Sequence, residues 1–224
     1  MALLWLAGTT EEVSLTMTAQ RGPQYPQVDI LEKKDCYQGF FRLEKYRLRH
    51  RLYDGAMSSI IERELFERGH AAAALLYDPL RDEVVILEQF RIGALGLDGG
   101  PWLFEIVAGM IEPGESAEAV VRREAFEEAG CSIQALEFIC DYLVSPGGTS
   151  ERISLYCAKV DTEGVGGVYG LAEEDEDIRV QAVAFEEAWQ WFKEGRINSA
   201  SPIIALQWLA MQRGTLREKW LTLP

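Results

Sequence analysis

The stretch from Ser116 to Gly130 constrains this chain more than any other, because it specifies both a local structure and a chemistry. Ser116 is a good helix cap, Ala117–Ala129 contains no helix breaker and Gly130 is a natural stop, so the sequence predicts a helix of about three and a half turns. Within it Glu124 and Glu128 stand one turn apart, with Glu127 beside them on the same side. The three carboxylates crowd the last turn, where unpaired carbonyls already carry partial negative charge, so a cationic partner has to compensate them. A run of glutamates on a helix is ordinarily a solvated face. Here a loop rich in glycine and glutamate, from Gly109 through Glu115, feeds directly into the helix and argues for a built site.

Around this helix the sequence reads as strands more often than helices. Residues 39–52 alternate with period two, placing Tyr46, Leu48, His50 and Leu52 opposite Lys45, Arg47, Arg49 and Arg51, and Asp54-Gly55 marks a turn. Strand-like runs follow at 71–76, 84–88 and 102–107, and beyond the helix at 136–143, 153–160 and 178–185, with loops at 145–151 and 161–177. Two helical patterns, 187–194 and 202–212, close the chain. Strands and helices do not strictly alternate, which favours a mixed α+β sheet over a doubly wound one. At 224 residues the chain has room for one large domain, or a main domain with an appendage. We divide it into an N-terminal arm (1–30), a β subdomain (31–68) and a main domain (69–224). The Lys45–Arg51 alternation is read as an exposed strand face whose charges discourage pairing at a sheet edge.

Charge and composition exclude several classes of function. With 36 acidic against 22 basic side chains the formal charge is −14, which repels a nucleic-acid backbone. Four cysteines without a CxxC pair and two histidines rule out a zinc finger or a multi-histidine metal site, so any metal sits on oxygen. The apolar start Met-Ala-Leu-Leu-Trp-Leu-Ala-Gly lacks the basic residues of a signal peptide and falls short of the ~20 residues of a membrane span, so no membrane association and a cytoplasmic location are expected.

The spacing of Gly109, Glu115, Arg123, Glu124, Glu127, Glu128 and Gly130 matches the pattern GX5EX7REUXEEXGU at every fixed position, and on these residues the chain resembles the Nudix hydrolases. Ala125 and Cys131 are smaller than the family prefers at its two aliphatic positions. The resemblance implies the Nudix fold, a mixed β-sheet sandwiched between helices, here with an N-terminal antiparallel β-sheet subdomain. It implies hydrolysis of a nucleoside diphosphate linked to another group. Oxygen donors suit Mg2+, with Mn2+ as a substitute. The implied ligands are Glu124 and Glu128, with Glu127 auxiliary and the Ala108 carbonyl contributing. Glu115 and Arg123 form a supporting ion pair, and Gly109 and Gly130 complete the scaffold of the box.

Outside the box, Pro146 lies fifteen residues beyond Cys131, the marker of the ADP-ribose pyrophosphatase branch of the family. Residues 145–151, 170–179 and 67–71 are similar to the same branch. In it a flexible acidic loop closes over the substrate, which makes Glu174 the expected general base and Glu176 a holder of a further metal ion. Glu173, Glu174 and Glu176 are not separated by sequence alone, and Glu151 is a second candidate for the base. By the same resemblance Arg63 and Arg91 contact substrate phosphate, Phe40 stacks on adenine unless it is a core residue, and the chain is a homodimer joined through its N-terminal sheet, in which Lys45–Arg51 could equally meet acidic groups of the other subunit. The implied reaction converts ADP-ribose and water to AMP and ribose 5-phosphate. A broader nucleoside-diphosphate-sugar pyrophosphatase is the alternative within the same chemistry. A non-catalytic ADP-ribose sensor is disfavoured by the intact glutamates, and a calcium-stabilised structural protein by the lack of a DxDxDG loop.

Overall fold

The computed structural model describes residues 27–171 and 175–222, which fall into two compact units. The first ends at Arg68 and also takes in Gly147–Thr149; the second holds the rest from Gly69 onward. Among the described residues no helix is long and apolar enough to cross a membrane.

The first unit is an antiparallel sheet of β1 (Val28–Gln38), β2 (Arg42–His50) and β3 (Ile61–Glu67), in that order. β1 starts inside the stretch read as an arm, and the sequence conceals it because register shifts between Ile30 and Glu32 and between Asp35 and Tyr37 break its alternation. β2 is central, so its basic residues do not protect an edge. Lys45 reaches Glu62 at 2.6 Å, Arg47 reaches Glu32 at 3.0 Å and Arg49 reaches Asp29 at 2.9 Å, a set of cross-strand pairs to both neighbours. Exposed pairs of this kind add little stability and serve mainly to select the register. On the other face Glu44 is buried, paired with Arg42 at 2.7 Å and Lys33 at 2.9 Å, and accepts a hydrogen bond from the Tyr46 hydroxyl at 2.7 Å. Gly147–Thr149 joins this sheet through the Phe66 N–H, which donates to the Gly148 carbonyl at 2.8 Å.

The second unit is built on β4 (Ala71–Asp78), β5 (Glu83–Phe90), β8 (Ala135–Leu143), β9 (Arg152–Lys159), β10 (Gly166–Tyr169) and β11 (Ile178–Ala184), ordered β10-β11-β5-β4-β9-β8. β4 and β9 are parallel and the other neighbours antiparallel, which makes this the mixed sheet expected. The segment 102–107 is two strands: β6 (Trp102–Glu105) pairs with β5, and β7 (Val107–Met110) crosses to β4. β10, with two glycines in four residues, has no sequence signature of a strand and lay hidden in the 161–177 loop.

β4 shows no alternation because both its faces are covered. Ala73, Leu75 and Tyr77 share a core with Trp191 of α2 (Phe185–Lys193) and with Leu206, Leu209 and Trp220 of α3 (Ala200–Leu221). Ala72, Ala74 and Leu76 share a second core with Val120, Val121, Ala125 and Ala129 of α1 (Ala117–Ala129). A strand buried on both sides reads as one apolar run. α3 continues well past the Gln212 expected from the pattern, carrying Leu216 and Trp220 into the core. Ala125 and Cys131, small for their positions in the box, are both fully packed in the α1 layer.

The β4–β5 turn is organised by Asp78. Its carboxylate accepts N–H bonds from Leu80 at 2.8 Å, Arg81 at 3.1 Å and Thr162 at 3.1 Å, and faces the Arg81 guanidinium at 3.0 Å. Burial opposes the Asp78 charge, but these donors outweigh it and hold the carboxyl below its ordinary value of 3.8. The folded chain therefore binds this proton more weakly than the unfolded chain. Its stabilisation is complete above the ordinary value and fades as the pH falls through the lowered one. Asp78→Ala should cost about 3 kcal/mol in denaturant unfolding at pH 7, and progressively less as the pH is lowered below the ordinary carboxyl value and the wild-type advantage titrates away.

Candidate active site

α1 is fixed at both ends by the residues the sequence nominates. Ser116 Oγ accepts from the Ala119 N–H at 3.2 Å, and Gly130 takes the left-handed conformation at φ 65°, its N–H returning to the Phe126 carbonyl at 2.9 Å. Helix and strand β7 then meet closely. Glu128 is 3% exposed, and its Oε2 accepts from the Ala108 N–H at 3.0 Å. Beside it, a β-carbon on Gly109 would lie 1.8 Å from Glu124 Oε1. Only glycine leaves room there for the Glu124 carboxylate.

The cation required by the crowded helix end is Arg123 itself. Its Nη1 reaches Glu124 at 2.7 Å and Glu127 at 2.9 Å, and its Nε faces Glu115 at 3.5 Å. Partial burial opposes the Arg123 charge, but Glu127, Glu124 and Glu115 outweigh it and hold the guanidinium above its ordinary value. The Glu115–Arg123 pair read from the box is therefore one side of a larger cluster.

Glu128 receives no such relief. Burial pushes its carboxyl up to about 8; the Ala108 N–H and the field of Arg91 oppose the rise, and the charges of Glu124 and Glu176 reinforce it. Burial likewise raises Glu124, against Arg123 and with help from Glu127 and Glu176. The structure thus brings Glu124, Glu128 and Glu176 into one field. Glu176 is folded back on its loop, its Oε2 accepting from the Leu171 N–H at 3.2 Å. Glu174, the expected base, lies outside the described residues with Glu173.

Arg91, at the end of β5, is aimed by Glu105 of β6, which its Nε reaches at 2.7 Å. Sequence reading missed Glu105, since nothing in the spacing announces a partner across two strands. Glu151 is buried just before β9; burial raises the Tyr142 hydroxyl above its ordinary value, the Ser201 hydrogen bond opposes the rise, and the charges of Glu151 and Glu105 add to it. Pro146 is exposed. Phe40 and Arg63 belong to the first unit. Phe40 is 86% exposed with its ring edge-on to Phe41, which removes the reading of a core phenylalanine, and the Arg63 Nη1 donates to the Glu62 carbonyl at 2.7 Å.

Among the described residues no three acidic, histidine or cysteine side chains converge in ready metal-ligand geometry. Arg123 holds Glu124 and Glu127, and the Ala108 atom seen in contact is the N–H rather than the carbonyl expected as a ligand. The donor set nevertheless suits a hard divalent cation: all oxygen, with mutually repelling carboxylates at Glu124, Glu128 and Glu176 and a glycine cradle behind Glu124.

Mixed sheet, carboxylate helix and glycine strand together are a Nudix site, and comparison with known proteins agrees. The NUDIX domain model matches residues 67–206. The ADP-ribose pyrophosphatase of Escherichia coli (strain K12) is 52% identical over 193 residues, spanning 86% of this chain and 92% of that protein. The GDP-mannose pyrophosphatase of Pectobacterium atrosepticum is 36% identical over 182 residues, spanning 80% of this chain and 92% of that one. A crystal structure of an ADP compounds hydrolase shares the fold, with a TM-score of 0.62 at 19% identity over 86% of this chain and 98% of its own. The chain belongs to the Nudix family.

Gly109→Ala tests the close approach. The three atoms nearest the added carbon all belong to the Glu124 side chain, which can turn away, so the thermal midpoint should change little. Turnover should fall about 100-fold, the usual penalty for displacing a site group by an ångström.

Proposed function

We propose that this chain is a Mg2+-dependent pyrophosphatase that hydrolyses ADP-ribose to AMP and ribose 5-phosphate. The observation that carries the reading is the 52% identity, over 86% of the chain, to an ADP-ribose pyrophosphatase. The intact box glutamates support catalysis over silent binding.

When bound, Mg2+ (or Mn2+) neutralises pyrophosphate oxygens and lowers the pKa of the attacking water. Glu124 and Glu128 are its principal holders, with Glu127, Glu176 and the Ala108 carbonyl assisting. Arg123 restrains the acidic side chains on one side of α1, as its three ion pairs suggest. Arg91, steadied by Glu105, meets a substrate phosphate with a rigid guanidinium fork. Glu174 takes the proton of the attacking water, with Glu151 the second candidate. The water oxygen bonds to one phosphorus as the bridging oxygen departs on the other phosphate. Phe40 for adenine, Arg63 for phosphate and Pro146 for substrate selection complete the assignment, and the exposed Phe40 ring supports a stacking role. Within this reading residues 31–68 are the dimerising unit of a cytoplasmic homodimer, and 69–224 the hydrolase domain. A broader nucleoside-diphosphate-sugar pyrophosphatase is favoured by the 36% identity to a GDP-mannose enzyme.

Incubation with ADP-ribose, ADP-glucose or diadenosine tetraphosphate, with Mg2+ or with EDTA, followed by product chromatography, separates the readings. AMP should arise mainly from ADP-ribose and only with metal. Comparable cleavage of ADP-glucose would support the broader enzyme, and no metal-dependent cleavage would sink both. Glu128→Gln retains an acceptor for the Ala108 N–H and mimics the neutral carboxyl that burial favours, so the variant should fold about as stably as wild type and lose turnover by about 100-fold or more.

A further inference from the structure

Strand β10 leads into the loop that carries Glu176, and the last residue of β10 is Tyr169. The Tyr169 ring sits on Gly130, the residue that ends α1. A β-carbon at Gly130 would lie 2.9 Å from Tyr169 Cε1 and 3.1 Å from its phenol oxygen. The same side chain packs against the core layer that contains Ala129 and Cys131, the residues flanking Gly130. Tyr169 is also paired with Ile178 across the β10–β11 ladder, so the loop 170–177 leaves and rejoins the sheet at a single register position.

Within that loop Glu176 is tied to the loop's beginning. Its N–H donates to the Leu171 carbonyl at 3.3 Å, its Oε2 accepts from the Leu171 N–H at 3.2 Å, and a β-carbon at Gly170 would lie 2.7 Å from Glu176 Cβ. Glu176 is therefore fixed to residues 170–171, and these follow directly on a tyrosine seated two residues beyond Glu128.

We propose that Tyr169 is a positioning residue that registers the acidic loop on the end of α1 and thereby sets the distance of Glu176 from Glu124 and Glu128. The inference rests on the pyrophosphatase reading above, in which these carboxylates hold a divalent cation. Their spacing decides whether their oxygens reach one ion. The nearest atom is the ring carbon Cε1, with the hydroxyl beside it, so Tyr169→Phe keeps most of the contact and Tyr169→Ala removes it.

Titration of Mn2+ into the full chain, read from the free-ion EPR signal, tests this without turnover, with hydrolysis of ADP-ribose measured alongside. Tyr169→Ala should weaken Mn2+ binding about tenfold, to the same degree as Glu176→Gln, as loss of an outer support typically does. The double variant should bind no more weakly than Glu176→Gln alone, and Tyr169→Phe should stay within about twofold of wild type. Thermal midpoints report folding, and Tyr169→Leu, which keeps apolar volume without a planar ring, carries the comparison where the alanine variant does not fold. Unchanged Mn2+ affinity in a folded variant, or losses that add in the double variant, would overturn the positioning role while leaving the pyrophosphatase reading intact. A wild-type chain that neither binds Mn2+ nor hydrolyses ADP-ribose would overturn both.

Discussion

Among the described residues Arg123 is the guanidinium that pairs directly with carboxylates of α1, and the geometry of the site follows from that imbalance. It holds Glu115, Glu124 and Glu127. Glu128 is left to the Ala108 N–H, which is too little to keep a buried carboxylate ionised at its ordinary value. The fold thus crowds mutually repelling carboxylates together, a conflict that a bound proton or an external cation relieves. Stability and function pull in opposite directions here, the usual sign of a working site.

The close fit of α1 on β7 turns this excess into a defined shape. Gly109 removes the atom that would hold Glu124 away, and the alanines of β4 and α1 let the helix lie close to the sheet. The core on the opposite face of the sheet, with its tryptophans and leucines from α2 and α3, supplies bulk behind the site. Small residues under the site and large ones behind it let one sheet serve both precision and stability.

Much of this was legible in the chain because it is encoded locally. The bounds of α1 follow from Ser116 and Gly130, and the box glutamates follow from their spacing along one helix. Legibility failed where structure depends on partners distant in sequence. β1 is obscured by its bulges, and β2 reads as an edge until its acidic neighbours on β1 and β3 are in view. Residues 102–107 read as one strand because a change of pairing partner at Ile106 leaves no mark in the pattern. The Arg91–Glu105 pair and the seat of Tyr169 on Gly130 are invisible for the same reason.

The parallel pairing of β4 with β9 has a consequence for synthesis of the chain. β1, β2 and β3 are neighbours in sequence, so their sheet can assemble almost as soon as it is made, needing only Gly147–Thr149 to be finished. β4 emerges next but must wait for α1 and β8 to be translated before β9 arrives, several seconds later at roughly 5–20 residues per second. Through that interval Ala71–Leu76 is an apolar strand with an unpaired side. The strand at the heart of the finished sheet is therefore, during synthesis, an apolar segment with an open hydrogen-bonding side, completed only when β9 arrives.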